Sequence, residues 1–349
     1  MSEPGPERAT LFLSRAWRRT GSEVSFVTRA LAGAVSRTSA VTVLVPSAAG
    51  PTEPDGAFDL IGAGVGRDGS WPAAADAVWP GRLPEETTIV VDEPEPAVLA
   101  LLALHAPGRP VHSIMPPDPG GPPRPLRPLH FTGSPARPAS DVIGLHVPIN
   151  PLAATHRHNG LGFTGYLLVL SDRVGPLEVS PPTPMVAWLT ARFPDKEIVV
   201  VEDATAAVWR GRVLRGIVDV YTRTDLWRLV AHARVTVDLA PGPIIARECI
   251  ESLRFGTPIL VPAGSAARPH ADAGGGIAYS GYPELLAGVA HLLDDSARAT
   301  MSSRGRIYAD AHYGDQRAFV DGVARTLGPS VPGHREPPTA PLPQSTAPA

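Results

Sequence analysis

Residues 233–262 read ARVTVDLAPGPIIARECIESLRFGTPILVP. The β-branched run Val235–Leu239 predicts a buried strand, and the Pro-Gly-Pro that follows ends it. Ala246–Phe255 then reads as a helix, closed by Gly256 and Pro258, and Pro258–Val261 reads as a second short strand. Strand, loop, helix and strand in that order form a βαβ unit, which implies a parallel sheet. Within the helix, Glu248 and Glu251 are three residues apart and so share one face. They read either as an exposed acidic face balanced by Arg247 and Arg254, or as a cleft-facing acid. Such an acid would hold a diol, such as a ribose, by accepting two hydrogen bonds.

The same alternation extends outward in both directions. Upstream lie a strand at Tyr166–Leu170, a helix at Pro184–Arg192, a strand at Glu197–Val201 and a helix at Asp225–Ala233. Downstream, Pro283–Leu293 and Gln316–Leu327 read as amphipathic helices. An earlier set begins with strand Ala9–Ser14, helix Val24–Val35 and strand Val41–Val45. Strands at Phe58–Ile61, Thr88–Val91 and Pro110–Ile114 follow, with a helix at Ala97–His105. The Pro- and Gly-rich stretch 116–138 reads as an irregular loop. The expected organisation is two doubly wound domains, 9–150 and 165–327, joined by a linker around 150–164. The Pro-, Ser- and Thr-rich tail 329–349 has almost no core formers and reads as disordered.

Composition narrows the chemistry. A chain of 349 residues suits two domains, and a net charge of −3 does not fit a dedicated nucleic-acid binder. Of 31 basic residues only Lys196 is a lysine, so a mechanism needing a second lysine is excluded. A lone Cys249 excludes an intramolecular disulfide and a cysteine metal cluster. No apolar run approaches the roughly 18 residues of a membrane span, and the N-terminus lacks the apolar core of a signal peptide. A cytoplasmic location is the expectation. No metal site is expected, because His156 and His158 have no nearby acid to complete a ligand set.

Ligands of doubly wound sheets bind outside the carboxyl ends of the strands. Besides residues 233–262, two loops fall there. In Ser14–Glu23, Gly21 precedes a helix whose first N–H groups favour an anion, and Arg15, Arg18 and Arg19 crowd beside Trp17. In Ser171–Glu178, Arg173 sits at the strand end, where its guanidinium could bind a diphosphate bidentately. The mobile-looking segment His270 to Gly276 reads as a loop near the same cleft.

The stretch Glu251-Ser-Leu-Arg-Phe-Gly256-Thr-Pro258-Ile-Leu resembles the donor-binding signature of retaining GT-B glycosyltransferases of the family-4 type. The segments YLLVLSDR, EIVVVED, DLWRLVAHARVTVDLA and 283–323 resemble that family's flanking elements in order. The resemblance implies a GT-B architecture, two Rossmann-like domains facing a cleft, with the last helix packing back toward the first domain. It implies transfer of a sugar from a nucleotide-sugar donor to a glycan, lipid or small-molecule acceptor, in carbohydrate biosynthesis, with no metal. Glu251 matches the acid that binds the nucleotide ribose, Arg173 the arginine on the diphosphate, and Gly21 a glycine of the first-domain loop. Ile244, Ile245 and Ala246 fall where the family has Gly-Phe-Gly.

The departures are specific. Pro243 stands where the family's first Glu holds sugar hydroxyls, and Glu178 where a lysine partners the arginine. The first-domain histidine has no clean counterpart, since His112 lies mid-strand. Arg18, Arg19 and Arg247 are the expected compensating cations. The alternative implied by the losses is a GT-B protein that binds nucleotide, sugar or a partner without transfer. The Trp17–Arg19 cluster could also touch anionic lipid at a membrane surface.

Overall fold

A computed structural model describes residues 9–17, 23–47, 50–51, 58–65, 70–115, 126–131, 142–143, 145–155, 161–170, 184–202, 205–239 and 246–327, save positions 82, 85, 212 and 221. Arg18, Arg19, Gly21, Arg173, Glu178, 243–245, the histidine pair at 156 and 158, and the tail 329–349 lie outside them.

The first sheet comprises β1 (Ala9–Leu13), β2 (Ala40–Val45), β3 (Gly50–Pro51), β4 (Asp59–Gly62), β5 (Thr88–Val91), β6 (Val111–Ser113) and β7 (Leu126–Pro128), in the order β3-β4-β2-β1-β5-β6-β7. All neighbours pair parallel except β3 with β4. Strand β7 corrects the expectation of an irregular loop over 116–138: Leu126 pairs with Val111 although prolines surround it. Proline is tolerated at a sheet edge, where its missing N–H faces no partner. Short strands β8 (His130–Phe131) and β9 (Val142–Ile143) pair separately.

The second sheet comprises β10 (Leu167–Leu170), β11 (Glu197–Glu202), β12 (Thr205–Arg210), β13 (Val213–Asp219), β14 (Val235–Asp238), β15 (Ile259–Pro262) and β16 (Gly276–Tyr279), in the order β13-β12-β11-β10-β14-β15-β16. Five of these strands run parallel, while β12 and β13 form an antiparallel meander on the β11 edge. The helices are α1 (Glu23–Val35), α2 (Pro96–His105), α3 (Leu152–Thr155), α4 (Pro184–Arg192), α5 (Arg223–His232), α6 (Arg247–Phe255), α7 (Arg268–His270), α8 (Tyr282–Leu292), α9 (Asp295–Tyr313) and α10 (Gln316–Leu327). Among the described residues, no helix is long and apolar enough to cross a membrane.

Strand alternation explains why both sheets read as near-continuous apolar runs. Phe12 packs with α1 and α10, whereas Leu11 and Leu13 pack with α2 on the opposite face. Leu168 and Leu170 face α5, whereas Leu167 and Val169 face α4 and α8. Sheets covered on both faces lose the polar positions that one-sided sheets keep. The last helix packs back on the first domain, through Phe319, Val323 and Leu327 against the α1 cluster of Val27 and Leu31.

The glycines at 274–276 are not a mobile loop. Residues 271–275 form one wide helical turn, with Gly274 at a left-handed φ of 91°, and Gly276 opens β16, beside Ile259 of β15. A Cβ on Gly276 would lie 2.0 Å from the Ile259 carbonyl oxygen, a backbone atom that cannot yield. Its backbone is extended, so space alone demands the glycine. Gly276→Ala is therefore expected to lower stability by at least about 1–3 kcal/mol, read by chemical denaturation.

Candidate functional site

Strand order reverses direction between β1 and β5 in the first sheet and between β10 and β14 in the second. These switch points are where doubly wound folds open a crevice at the carboxyl ends of their strands. In the first sheet the position is filled by Asp92, directly after β5 and 1% exposed. It accepts four hydrogen bonds: from the Ser14 hydroxyl, Arg15 N (3.3 Å), Ala16 N (3.1 Å) and Glu93 N (2.7 Å). Burial pushes its carboxyl up to about 6, against the lowering effect of the Ser14 and Ala16 donors. Asp92 thus ties the end of β1 to the end of β5 and sets where the following loop departs. Arg15 does not extend into solvent, because its Nη1 lies 2.5 Å from Glu95 Oε1.

Trp17 is buried at 1% exposure, edge-on to Phe58 at 5.3 Å between ring centroids. Of the Trp17–Arg19 cluster expected as a lipid contact, Trp17 is therefore not at the surface, while Arg18 and Arg19 lie outside the described residues. The indole packs into the first-domain core, and Arg29 lies over its ring at 4.6 Å while donating to the Trp17 carbonyl. His112 sits in β6, and burial, then the charge of Arg127, pushes its imidazole down to about 4.

In the second sheet, α6 carries the acids. Glu251 has 0% side-chain exposure and Glu248 has 18%, so the helix face is not the exposed acidic surface that spacing alone allows. Burial follows from a partner that sequence reasoning missed, Arg223 at the start of α5. Its Nε and Nη2 grip Glu251 Oε1 and Oε2 at 3.0 and 2.5 Å, and its Nη1 reaches Glu248 at 2.9 Å. Thr222 and Asp225 form a capping box that fixes the first turn of α5 and hence the place of Arg223. Burial alone would depress Arg223, but Glu251 and Glu248 outweigh it and hold it above the ordinary arginine value.

Arg247 completes the cluster. Its Nε donates to Glu251 Oε1 at 3.0 Å, and its guanidinium lies 3.8 Å from the ring centroid of Phe26 on α1. Burial lowers Arg247 while Glu251 opposes the shift. The side chain therefore bridges Glu251 on α6 and Phe26 on α1. Arg254, the other expected balancing charge, instead binds Asp310 at 3.0 Å and the Val147 carbonyl. Ala246 precedes α6 with φ 49° and ψ 62°, a left-handed conformation costing a residue with a Cβ roughly 1–2 kcal/mol. A glycine would take that conformation without the cost.

His270 is fully buried, with Nδ1 3.1 Å from the Tyr308 hydroxyl and its ring edge-on to Tyr313. Asp272 pairs with Arg268 at 3.2 Å. Neither points to a ligand. Of the expected site residues, the structure describes Glu251, Ala246 and Arg247 and brings them together; Arg173, Gly21, Ile245, Arg18 and Arg19 lie outside the described residues. Among the described residues, no three His, Cys, Asp or Glu side chains converge as a metal site would require.

No protein-family model matches the sequence, and no curated protein matches it. Solved structures do match over nearly the whole chain. Anabaena Alr3699/HepE in complex with UDP-glucose aligns with a TM-score of 0.58 at 14% identity, over 91% of this chain and 99% of that one. WaaG, a glycosyltransferase involved in lipopolysaccharide biosynthesis, aligns at 0.55 and 14% identity, over 92% and 99%. An α,α-trehalose-phosphate synthase (UDP-forming) from Burkholderia vietnamiensis aligns at 0.55 and 12% identity, over 92% and 99%. With two parallel-sheet α/β domains in the same arrangement, the chain has the GT-B fold of these glycosyltransferases.

Proposed function

We propose that this protein is a glycosyltransferase of the family-4 type, moving a sugar from a nucleotide-sugar donor to an acceptor with retention and without a metal. The observation that carries the reading is Glu251, a fully buried acid on the helix after β14, followed by Gly256-Thr257-Pro258 as in the donor signature. Residues 165–327 would bind the donor and 9–150 the acceptor. The neighbours HepE, crystallised with UDP-glucose, and the UDP-forming trehalose-phosphate synthase support a nucleoside diphosphate sugar as the donor class. A diphosphate leaving group gathers charge, and preorganised cations lower the barrier to its departure. Arg173 and Arg247 are the proposed cations, with Arg18 and Arg19 as further candidates. Domain closure over the donor would exclude water.

One observation favours the second reading, a GT-B protein that binds without transfer. A carboxylate offers about four lone-pair sites, and hydrogen bonds from Arg223 and Arg247 already take three of those on Glu251. Gripping a diol needs two, so one arginine must release before a ribose is held through both hydroxyls. A panel of radiolabelled nucleotide sugars separates the two readings. Turnover with one donor, lost in Glu251→Gln, supports the transferase. A raised melting temperature with every donor unturned supports the binder, and no binding at all overturns both. Under the transferase reading Arg247→Ala is expected to weaken diphosphate affinity about 10-fold, the usual scale for one charge-assisted hydrogen bond. Unchanged affinity removes Arg247 from the site.

A further inference from the structure

The last strand of an open sheet carries a row of unpaired N–H and C=O groups on its outer side, a ready template for another strand. Four strands end the two seven-stranded sheets, and three of them are blunted. β3 has two residues and includes Pro51, β7 has three and includes Pro128, and β16 has four and packs against α8. β13 is different. It runs for seven residues without a proline, and among the described strands it pairs with β12 alone.

Its side chains are open on both faces. Val213 is 58% exposed, Leu214 36% and Ile217 52%, and only Val218 is half-buried. Ile217 stands opposite Ala207 of β12, whose methyl group is too small to cover it. The register slips between Val208 and Trp209, which leaves Arg215 as the extra residue of a bulge. A bulge guards an edge against pairing, but this one affects only the first half of the strand. Residues 216–219 keep an unbroken register with 205–208.

Two charges of opposite sign flank this apolar centre. Arg215 and Asp219 are both exposed, and neither has an ion-pair partner among the described residues. Parallel addition of a second β13 in register would set Arg215 against Arg215 and Asp219 against Asp219. Antiparallel addition about a two-fold axis at Ile217 does the reverse. Arg215 of each copy then faces Asp219 of the other, Gly216 opposes Val218, and the two Ile217 side chains meet on the axis. Opposite charges directly across a strand pair stabilise it, and like charges weaken it.

We propose that this protein forms a two-fold symmetric dimer by antiparallel pairing of β13 with β13 of a second copy, in the register centred on Ile217. The pairing joins two seven-stranded sheets into one and removes the open edge of both. The same patch serves each copy, as closed two-fold symmetry requires. β11 and β12 separate it from the switch point at β10, so the dimer stands apart from donor binding and transfer. One strand pair is a small interface, so association is weak and reversible, with a Kd in the micromolar range.

The test is sedimentation velocity of the full-length protein from about 1 to 300 µM, the span in which a small interface titrates. The mean mass should rise reversibly toward that of a dimer, with no larger species. Ile217→Lys, a change at a half-exposed side chain, puts two ammonium groups on the axis. It should weaken the dimer about 10-fold or more while the melting temperature holds. Arg215→Asp and Asp219→Arg each set like charges opposite one another, and each should weaken self-association about 5-fold or more. Mixed in equal amounts, these two variants carry complementary strands and should recover association. The double exchange, Arg215→Asp with Asp219→Arg in one chain, should recover it as well. A protein that stays monomeric across the series overturns the proposal. So does a dimer that Ile217→Lys leaves intact, or one that the double exchange fails to restore. No nucleotide is present in these measurements, so their result stands or falls separately from the transfer assay.

Discussion

Glu251→Ala is expected to lower stability by about 3–5 kcal/mol, the cost of leaving a buried charge without its partner. The acid is wholly enclosed, and its two oxygens anchor Arg223 and Arg247, whose side chains are 22% and 17% exposed. Without it, two guanidiniums are left beside Glu248, which meets Arg223 through a 2.9 Å bond and takes the place of neither oxygen of Glu251. Arg223→Ala should cost less than Glu251→Ala, because Glu251 keeps Arg247. Replacing Arg223 and Glu251 together by methionine should recover much of the loss, since apolar side chains of similar volume carry no desolvation penalty. Urea denaturation of Arg223→Ala, Glu251→Ala and the double alanine variant measures the coupling, and the double methionine variant measures the recovery. Additive effects would mean that the pair is not the interaction that holds α5 to α6. Loss of nucleotide binding in Arg223→Ala at full stability would separate the placement of Glu251 from the integrity of the fold.

The sequence exposes part of this site and hides the rest for identifiable reasons. Glu251 and Arg247 lie on one helix, four residues apart, so local spacing brings them to the same place. Arg223 is 28 residues upstream of Glu251 and reaches it only because β14 lies between α5 and α6. Its one local signal is Thr222 with Asp225 three residues on, a capping box that marks where α5 begins. Asp92 is similar: three of its four donors lie just after β1 while it lies just after β5, strands that are adjacent only once the sheet forms. The β12–β13 meander was within reach of pattern reading, since TAAVWR and VLRGIVD flank Gly211. A register shift between Val208 and Trp209 breaks the strict alternation that would announce it. The glycines at 274–276 mislead for a different reason. Gly275 and Gly276 serve close packing against Leu253, Gly305 and Ile259, Gly274 takes a left-handed φ, and glycine for such reasons reads like glycine for flexibility.

The second large effect is a pH dependence hidden by compensation. Asp92 is raised to about 6 in the folded protein, from an ordinary value of 3.8. Between those values the folded chain binds the extra proton, so stability falls as pH rises from about 4 to 6. Two pKa units correspond to about 3 kcal/mol. His112 acts with the opposite sign. It is lowered to about 4 from 6.5, so the unfolded chain binds the extra proton over that interval, and stability rises with pH by about 3 kcal/mol. The wild-type protein should therefore vary little in stability between pH 4 and 6.5. Asp92→Asn removes one arm, and the remaining slope should be positive. His112→Gln removes the other, leaving a negative slope. Asp92→Asn also loses one acceptor among four local donors, a pH-independent cost of about 1–3 kcal/mol. Denaturation midpoints at half-unit steps from pH 4 to 8 resolve all three features. A wild-type profile as steep as either variant's would show that the two groups do not titrate as a compensating pair.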